Sequence, residues 1–250
     1  MLELKGLSVG YGKTPVLRNV CLSFERGKLC CIIGVNGSGK STLVKSIAGV
    51  LPVMSGEISA DGVPLGQVRR VDRAKAVAYL AQGGAVPDVT VEQLVLMGRF
   101  PYLRYPHSYT PNDHGVVRDA LRTLDIEALA DRPLSSLSGG MRQTAYIAMA
   151  LAQGTDYILL DEPTTYLDVS HQVYLMKTLR RLAGEGRGIV TVMHDLPLAL
   201  GFADSFVLIQ GGHAAYYPSA EALCADGVAE RAFGVTLIRH PDGNWGYNYS

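Results

Sequence analysis

Residues 34–41, GVNGSGKS, combine glycines, a lysine and a serine at a spacing that suits phosphate binding. They match G-x-x-x-x-G-K-[ST], in which the N–H groups of a glycine-rich turn converge on phosphate oxygens. Lys40 would reach the outer phosphates of a nucleotide, and Ser41 would bind Mg²⁺. We call residues 34–42 the phosphate loop. Its other expected nucleotide contacts are Gly34, Asn36, Gly37, Ser38, Gly39 and Thr42.

Two carboxylates follow the apolar run YILL at 157–160. A buried strand that ends there would place Asp161 beside the phosphate loop, where it could hold Mg²⁺ through water. Glu162, one residue further on, would point elsewhere and could polarise an attacking water as a catalytic base. The alternative is a strand that ends in a solvated acidic turn.

Three single residues could complete a nucleotide site. His194 lies in the stretch TVMHD (191–195), at the expected end of a strand, and could hydrogen-bond the γ-phosphate or the attacking water. Gln82 ends the stretch AVAYLAQ and could hydrogen-bond a Mg²⁺-bound or attacking water. Tyr11 lies on an early turn and could stack on adenine. Taken alone, His194 could be a structural surface residue, Gln82 a loop residue and Tyr11 a packed side chain.

The stretch SLSGG at 136–140 predicts a second phosphate cradle. Ser138 is a good helix N-cap, and Gly139 and Gly140 would let an anion approach the helix that follows. An ordinary capped helix is the alternative. One chain has no need of two cradles for the same phosphates, so we expect Ser138 and Gly140 to bind the γ-phosphate of a nucleotide held by another copy.

The elements that must position these residues read as an α/β fold. Strands alternate with helices, which favours a mostly parallel sheet covered on both faces, with an antiparallel β region formed by the first thirty residues. Residues 87–153 read as an inserted helical subdomain, here called the helical lobe. We expect one domain, with a core of 1–86 and 154–215 and a C-terminal extension of 216–250 that includes one helix at 220–233. Residues 76–82 are expected to form one strand.

Composition excludes several classes of protein. The 250 residues carry 23 basic and 23 acidic side chains, so a formal net charge of zero argues against a nucleic-acid partner. The first residues lack the pattern of a secretory signal, and no run of about 18 apolar residues predicts a membrane span. The four cysteines lack metal-ligand spacing and are expected to be reduced, packed thiols.

Taken in order, these motifs resemble those of the ATP-binding cassette (ABC) ATPases. The resemblance spans residues 1 to about 215. It pairs Tyr11 with the A-loop aromatic, residues 34–42 with Walker A, Gln82 with the Q-loop, residues 137–141 (LSGGM) with the signature, residues 157–162 with Walker B, residues 166–168 with the D-loop, and His194 with the switch histidine.

The resemblance implies ATP hydrolysis with Mg²⁺ bound by Ser41, Gln82 and Asp161. It also implies a head-to-tail dimer, with each ATP between Walker A of one chain and the signature of the other, and Asp168 at the interface. Residues 91–105 and 161–172 are similar to importer ATPases for iron–siderophores, haem and cobalamin. Such a protein would lie peripherally on the cytoplasmic face of the membrane, with a separate permease and, indirectly, a substrate-binding protein as partners.

Two positions depart from the family pattern. Met141 stands where the signature usually has Gln and cannot make the hydrogen bonds of an amide. Thr144 stands where Arg is common. Three alternatives remain open: an importer ATPase for molybdate or another metal, a soluble ABC-type ATPase without a transport role, and a phosphate-loop kinase or GTPase of another class.

Overall fold

The computed structural model describes residues 1–105, 108–225 and 227–248 of the chain. Within those residues we number twelve strands and nine α-helices. The strands are β1 (Leu2–Tyr11), β2 (Thr14–Phe24), β3 (Leu29–Ile33), β4 (Val53–Ala60), β5 (Val63–Pro64), β6 (Val77–Leu80), β7 (Tyr157–Asp161), β8 (Gly188–Val192), β9 (Ser205–Gln210), β10 (His213–Tyr217), β11 (Thr236–Arg239) and β12 (Trp245–Asn248). The helices are α1 (Lys40–Ala48), α2 (Arg70–Ala76), α3 (Val91–Met97), α4 (Pro111–Thr123), α5 (Gly139–Ala152), α6 (Val169–Gly184), α7 (Leu196–Phe202), α8 (Ala220–Ala225) and α9 (Val228–Phe233).

A six-stranded sheet in the order β10-β9-β3-β8-β7-β6 forms the centre of the core. All neighbours in it are parallel except β10, which pairs antiparallel with β9. Every residue of β3, β7 and β8 is buried, which explains their continuous apolar runs. The predicted mostly parallel sheet is confirmed. Because parallel strands end at one edge, the segments after β3, β6, β7 and β8 meet there.

The antiparallel region is a second sheet in the order β2-β1-β4-β5. Its β4–β5 turn uses Asp61 and Gly62, both with positive φ (50° and 81°), as a tight hairpin turn requires. This sheet packs with α1 against one face of the central sheet. The antiparallel β region predicted for the first thirty residues is therefore confirmed, and β4 and β5 extend it.

Strand β3 separates two hydrophobic clusters. Cys31 and its alternate neighbours pack on the side of the helical lobe, whereas Cys30 and Ile32 pack on the side of α1 and the antiparallel sheet. Burial raises the pKa of the Cys30 thiol to about 12, so this thiol stays protonated at neutral pH. All four cysteines are free thiols, as the sequence predicts. Cys30 and Cys31 are buried, but Cys21 is exposed, so the expectation that all four thiols are packed was wrong at that position.

The helical lobe contains α3, α4 and α5, which pack against one another. Capping boxes at Thr90 and Thr110 begin α3 and α4. Val117, Ala120 and Leu121 of α4 are buried on one face of the helix, as is Leu124 directly after it. Positions 106 and 107 of the helical lobe lie outside the described residues, as do positions 226, 249 and 250 of the C-terminal extension. The division into core, helical lobe and extension stays a prediction.

Several local predictions were wrong. Strand β6 covers only Val77–Leu80 rather than 76–82, and Arg70–Ala76 before it form helix α2, which was not predicted. The single helix expected at 220–233 is two helices, α8 and α9, because Gly227 adopts a left-handed φ of 60° before α9. The tail beyond them, for which the sequence gives no structural prediction, forms the β11–β12 hairpin, and β12 contacts α7.

Within the described ranges, no helix combines the length and the apolar character needed to cross a membrane.

Candidate functional site

The phosphate loop joins the end of β3 to α1, as the sequence predicts. Gly39 has a φ of 110°, and a Cβ there would lie 2.8 Å from Val16 Cγ1. A side chain at this position would therefore meet both backbone strain and a steric clash. Gly34 is similarly confined, because its Cβ would lie 2.5 Å from the Ile209 carbonyl oxygen.

Lys40 is buried at the start of α1, with its ammonium group under the phosphate loop. Its Nζ donates to the carbonyl oxygens of Gly34 (2.8 Å) and Val35 (3.1 Å). Burial lowers the pKa of Lys40, and the nearby carboxylates Glu162 and Asp161 oppose that shift. A bound phosphate would add a stronger partner for the ammonium form. The loop thus holds the Lys40 ammonium group where a bound phosphate could pair with it.

Other loop residues present polar atoms to the same space. Ser38 Oγ is buried and has no hydrogen-bond partner among the described residues, which leaves it available to a phosphate oxygen. Asn36 and Gly37 are exposed at the tip. Thr42 is buried and donates from Oγ1 to the Tyr11 hydroxyl at 3.4 Å. Tyr11, at the end of β1 and 55% exposed, therefore lies beside the loop with its ring accessible.

Ser41 and Asp161 meet although they are 120 residues apart. Ser41 Oγ donates to Asp161 Oδ1 at 2.8 Å, and the Tyr79 hydroxyl donates to Asp161 Oδ2 at 3.2 Å. Burial, followed by the charge of Asp161, raises the pKa of Tyr79 above its ordinary range, so its hydroxyl remains a donor. Hydroxyl and carboxylate oxygens are the donors that Mg²⁺ prefers, so this pair fits the metal that the fold family implies.

A second cluster surrounds Glu162. Gln82 Nε2 donates to Glu162 Oε2, His194 Nε2 contacts Glu162 Oε1, and Thr165 Oγ1 donates to Oε2 at 3.4 Å. The Glu162 backbone has a φ of 52°, a left-handed conformation that is costly for a residue with a side chain. This turn separates Glu162 from Asp161 and brings its carboxylate between Gln82 and His194.

The predictions for two site residues, Gln82 and His194, need refinement. Gln82 and His194 each lie two residues beyond their strands rather than at the strand ends. Gln82, expected among the Mg²⁺ ligands, has its amide nitrogen on Glu162. A cavity of about 580 Å³ nevertheless brings Gln82, Asp161 and Glu162 together with Tyr79 and Gly139.

Ser138 caps α5 by accepting a hydrogen bond from Met141 N at 3.3 Å. Ser138, Gly139 and the Met141 side chain are exposed, whereas Gly140 is buried. Within the described part of the chain, no hydrogen bond joins Ser138 to the phosphate loop of the same molecule. The LSGGM segment (137–141) therefore presents a free helix start to solvent, as a site completed by a second molecule requires.

Asp168 caps the neighbouring helix α6. Its Oδ1 accepts from the His171 backbone N–H at 2.9 Å and from Ser170 Oγ at 2.7 Å. These hydrogen bonds, in that order, and the His171 side chain hold the pKa of Asp168 well below its usual range. Asp168 is therefore a charged, exposed group at the N-terminus of α6, as Ser138 is an exposed group at the N-terminus of α5.

Sequence reasoning missed Tyr79, Thr165 and His171. Tyr79 was detectable, because a tyrosine three residues before Gln82 in an apolar strand suggests a hydroxyl that needs a partner. Thr165 and His171 had no local signal. Their partners Glu162 and Gly140 are identified only when the positive φ of Glu162 and the approach of α6 to α5 are known.

Comparison with known proteins gives a consistent set of relatives. The pattern of the family described as ABC transporter matches residues 17–165. The petrobactin import ATP-binding protein FpuD of Bacillus anthracis is 43% identical over 211 residues, covering 84% of this chain and 77% of that protein. The iron(3+)-hydroxamate import ATP-binding protein FhuC of Bacillus subtilis is 38% identical over 213 residues, covering 84% and 79%. The solved structure of cbiO1 from Clostridium perfringens, part of the ABC transporter complex cbiONQ, superposes with a TM-score of 0.80 at 27% identity over 92% of both chains.

Proposed function

The chain belongs to the ABC transporter family, and from that premise we propose that it is the ATP-hydrolysing subunit of an importer. The observation that carries the proposal is the pairing of two clusters at one sheet edge. Ser41 with Asp161 can hold the metal and phosphates, and Glu162 with Gln82 and His194 can orient and deprotonate an attacking water. Neither cluster alone would distinguish binding from hydrolysis.

In this proposal ATP lies along the phosphate loop, with its adenine on Tyr11 and its phosphates on the loop N–H groups, Lys40 and Ser38. Mg²⁺, held by Ser41 and Asp161 and approached by Gln82, would neutralise charge that develops on the phosphates. Glu162 accepts a proton from water as the water oxygen bonds to the γ-phosphorus and the bond to ADP breaks. His194 orients Glu162 and donates toward the γ-phosphate oxygens.

The site needs a second copy of the chain. Ser138, Gly139 and Gly140 of one molecule would cover the γ-phosphate bound by the other, with Asp168 at the interface. The exposed start of α5 supports this arrangement, since its N–H groups and helix dipole favour an anion. The proposed assembly is a head-to-tail dimer that holds two ATP molecules.

We further propose that the dimer works on the cytoplasmic face of a membrane with a separate permease, fed by a substrate-binding protein. Family members that serve import function with membrane permease components. Exposed apolar side chains of the helical lobe, among them Met97, Phe100 and Tyr105, offer a surface for such a partner. The helical lobe would then transmit the nucleotide state to the permease.

The proposed cargo is an iron complex, a siderophore or haem, or cobalamin. Support comes from the relatives named for petrobactin and iron(3+)-hydroxamate import. Import of molybdate or another metal, and a soluble ABC-type ATPase, are the alternatives.

Three measurements test the proposal. The purified chain should hydrolyse ATP in a Mg²⁺-dependent manner, and a preference for GTP would favour another phosphate-loop class. Affinity purification from detergent-treated membranes should recover a permease, whereas its absence beside an active ATPase would favour the soluble alternative. Growth of a deletion strain on siderophore, haem or cobalamin as the limiting nutrient should then identify the cargo.

A further inference from the structure

The two segments proposed to meet a second copy lie on different helices of the chain. Ser138 caps α5 and Asp168 caps α6, so the sequence places them thirty residues apart. A dimer interface that uses both needs a fixed spacing between the two helix starts. The side chain of His171, in the first turn of α6, fills the space between them.

Gly140 shows how closely the imidazole approaches α5. A Cβ on Gly140 would lie 2.1 Å from His171 Cδ2, 2.5 Å from Cγ and 2.7 Å from Nε2. Backbone strain does not explain this glycine, because Gly140 is not among the residues with positive φ. Its lack of a side chain therefore lets the ring pack directly on the first turn of α5.

The opposite edge of the same ring is tied to Asp168. His171 Nδ1 lies 2.9 Å from both carboxylate oxygens of Asp168, while the His171 backbone N–H donates to Oδ1. Ser170 also donates to this carboxylate, at 2.7 Å, but its side chain is not among the atoms closest to Gly140. His171 is thus the residue that joins the Asp168 carboxylate to the first turn of α5, since its ring supplies the three atoms nearest to the Gly140 Cβ position.

We propose that His171 is a positioning residue that holds the start of α5 against the start of α6, so that Ser138 and Asp168 meet the second copy as one surface. This inference rests on the proposed ATP-dependent dimer. The imidazole acts as a spacer, with one edge packed on Gly140 and the other hydrogen-bonded to Asp168. Loss of the ring would let the α5 start shift, and a shift of about 1 Å at such a site can cost about 100-fold in rate.

The first test measures ATP-dependent dimerisation in a slow-hydrolysing Glu162→Gln parent. His171→Ala should weaken dimerisation about tenfold or more, while binding of a fluorescent ATP analogue to the monomer stays within about twofold. His171→Asn, which keeps a donor for Asp168 without the ring, should be similarly weak. Ser170→Ala is the matched control, because it removes one hydrogen bond to Asp168 and leaves the Gly140 contact; its dimerisation should equal that of the parent.

The second test asks whether Gly140 and His171 act together. Gly140→Ala should be severely impaired in the parent, because the new methyl group meets the ring. In a His171→Ala background the same substitution meets no ring, so its further loss of dimerisation should be at least about tenfold smaller. Equal losses in both backgrounds would mean that Gly140 is required for another reason, and would overturn the inference.

The outcomes separate this inference from the proposed function. A Glu162→Gln parent that shows no ATP-dependent dimer contradicts the proposed assembly itself. If the parent dimerises and the His171→Ala variant dimerises equally well, only the positioning role of His171 is overturned. Thermal unfolding identifies any variant that is misfolded. Among the folded variants, weaker dimerisation of His171→Asn than of Ser170→Ala supports the positioning role, and equal dimerisation contradicts it.

Discussion

At the scale of single residues, the most informative position is Glu162. Its left-handed backbone sets the carboxylate apart from Asp161, and three neighbours then fix both of its oxygens. Strain of this kind persists where surrounding contacts over-determine it, often at functional sites. The sequence alone predicts the two different roles of the adjacent carboxylates, but not the conformation that separates them.

Replacement of Glu162 by Gln keeps the shape of the side chain and removes its capacity to accept a proton. We expect Glu162→Gln to bind ATP normally and to hydrolyse it about 10²–10⁴-fold more slowly. Phosphate release and binding of a fluorescent ATP analogue measure the two effects. Glu185→Gln, on the exposed end of α6, is the control and should keep wild-type turnover. Near-normal turnover of the Glu162 variant would rule out this residue as the base.

At the scale of secondary-structure elements, a buried polar cluster joins α4 to the end of α5. Arg99 Nε donates to Asp113 Oδ1 at 3.0 Å, and its Nη1 donates to the Ala152 carbonyl oxygen at 2.9 Å. Arg99 also stacks on the Tyr102 ring, whose hydroxyl donates to the Gln153 carbonyl oxygen at 3.0 Å. The last carbonyls of α5 are thereby capped by the segment that carries the exposed aromatic side chains.

Arg99→Leu would leave the Asp113 carboxylate buried without its cation. Removing one partner of a buried ion pair typically costs about 3–5 kcal/mol, so the free energy of unfolding should fall by that order. Denaturant titration followed by circular dichroism measures it. Arg104→Leu, a similar change at an exposed position of the same segment, should stay within about 0.5 kcal/mol of wild type. Equal stability of the two variants would contradict the importance of the pair.

Asp113 also predicts a pH dependence of stability. Burial raises the pKa of its carboxyl, but hydrogen bonds from Thr110 and Arg99 outweigh burial and hold the pKa below its ordinary value. A carboxyl with a depressed folded-state pKa stabilises the fold above its unfolded pKa of about 3.9, and this contribution is lost as pH falls through the folded value. Asp113→Asn should therefore lose less stability than wild type between about pH 5 and pH 3. Parallel pH profiles would contradict the assignment.

Elements with strong periodicity were predictable, and elements defined by distant contacts were not. The apolar run at 157–160 predicts β7 from its own residues, and β3 and β8 are fully buried strands of the same kind. Helix α2 has no buried residue, so it lacks the apolar stripe that sequence periodicity detects. The β11–β12 hairpin likewise depends on packing against α7, which no local pattern encodes.

At the scale of the whole molecule, one sheet edge collects the phosphate loop, Asp161, Glu162 and His194, while the start of α5 faces solvent. The sequence predicts the first grouping because parallel strands end together. It predicts a dimer from the second feature, since one chain has no need of two cradles for the same phosphates. In the described part of the structure, Ser138 makes no hydrogen bond to its own phosphate loop, which agrees with that argument. Dimerisation is thus part of the catalytic proposal, which can be tested with mixed variants.

Ser138→Arg should abolish hydrolysis while monomers still bind ATP, because a long cation would fill the space reserved for the partner's phosphate. The change also removes the α5 cap, worth about 1 kcal/mol. Ser138→Ala loses the same cap without the added bulk, so it should keep much more activity. Lys40→Ala should be inactive for a different reason, because its own phosphate loop is defective.

Mixing these two inactive variants distinguishes a shared site from one within a single chain. In a head-to-tail dimer of Ser138→Arg with Lys40→Ala, one intact phosphate loop faces one intact LSGGM segment, and the other site carries both defects. An equal mixture should recover up to about a quarter of wild-type hydrolysis, since half of the dimers are mixed and each holds one intact site of two. If the LSGGM segment acted on its own chain's nucleotide, every chain would remain defective, and the mixture would show only the summed residual rates of the two variants.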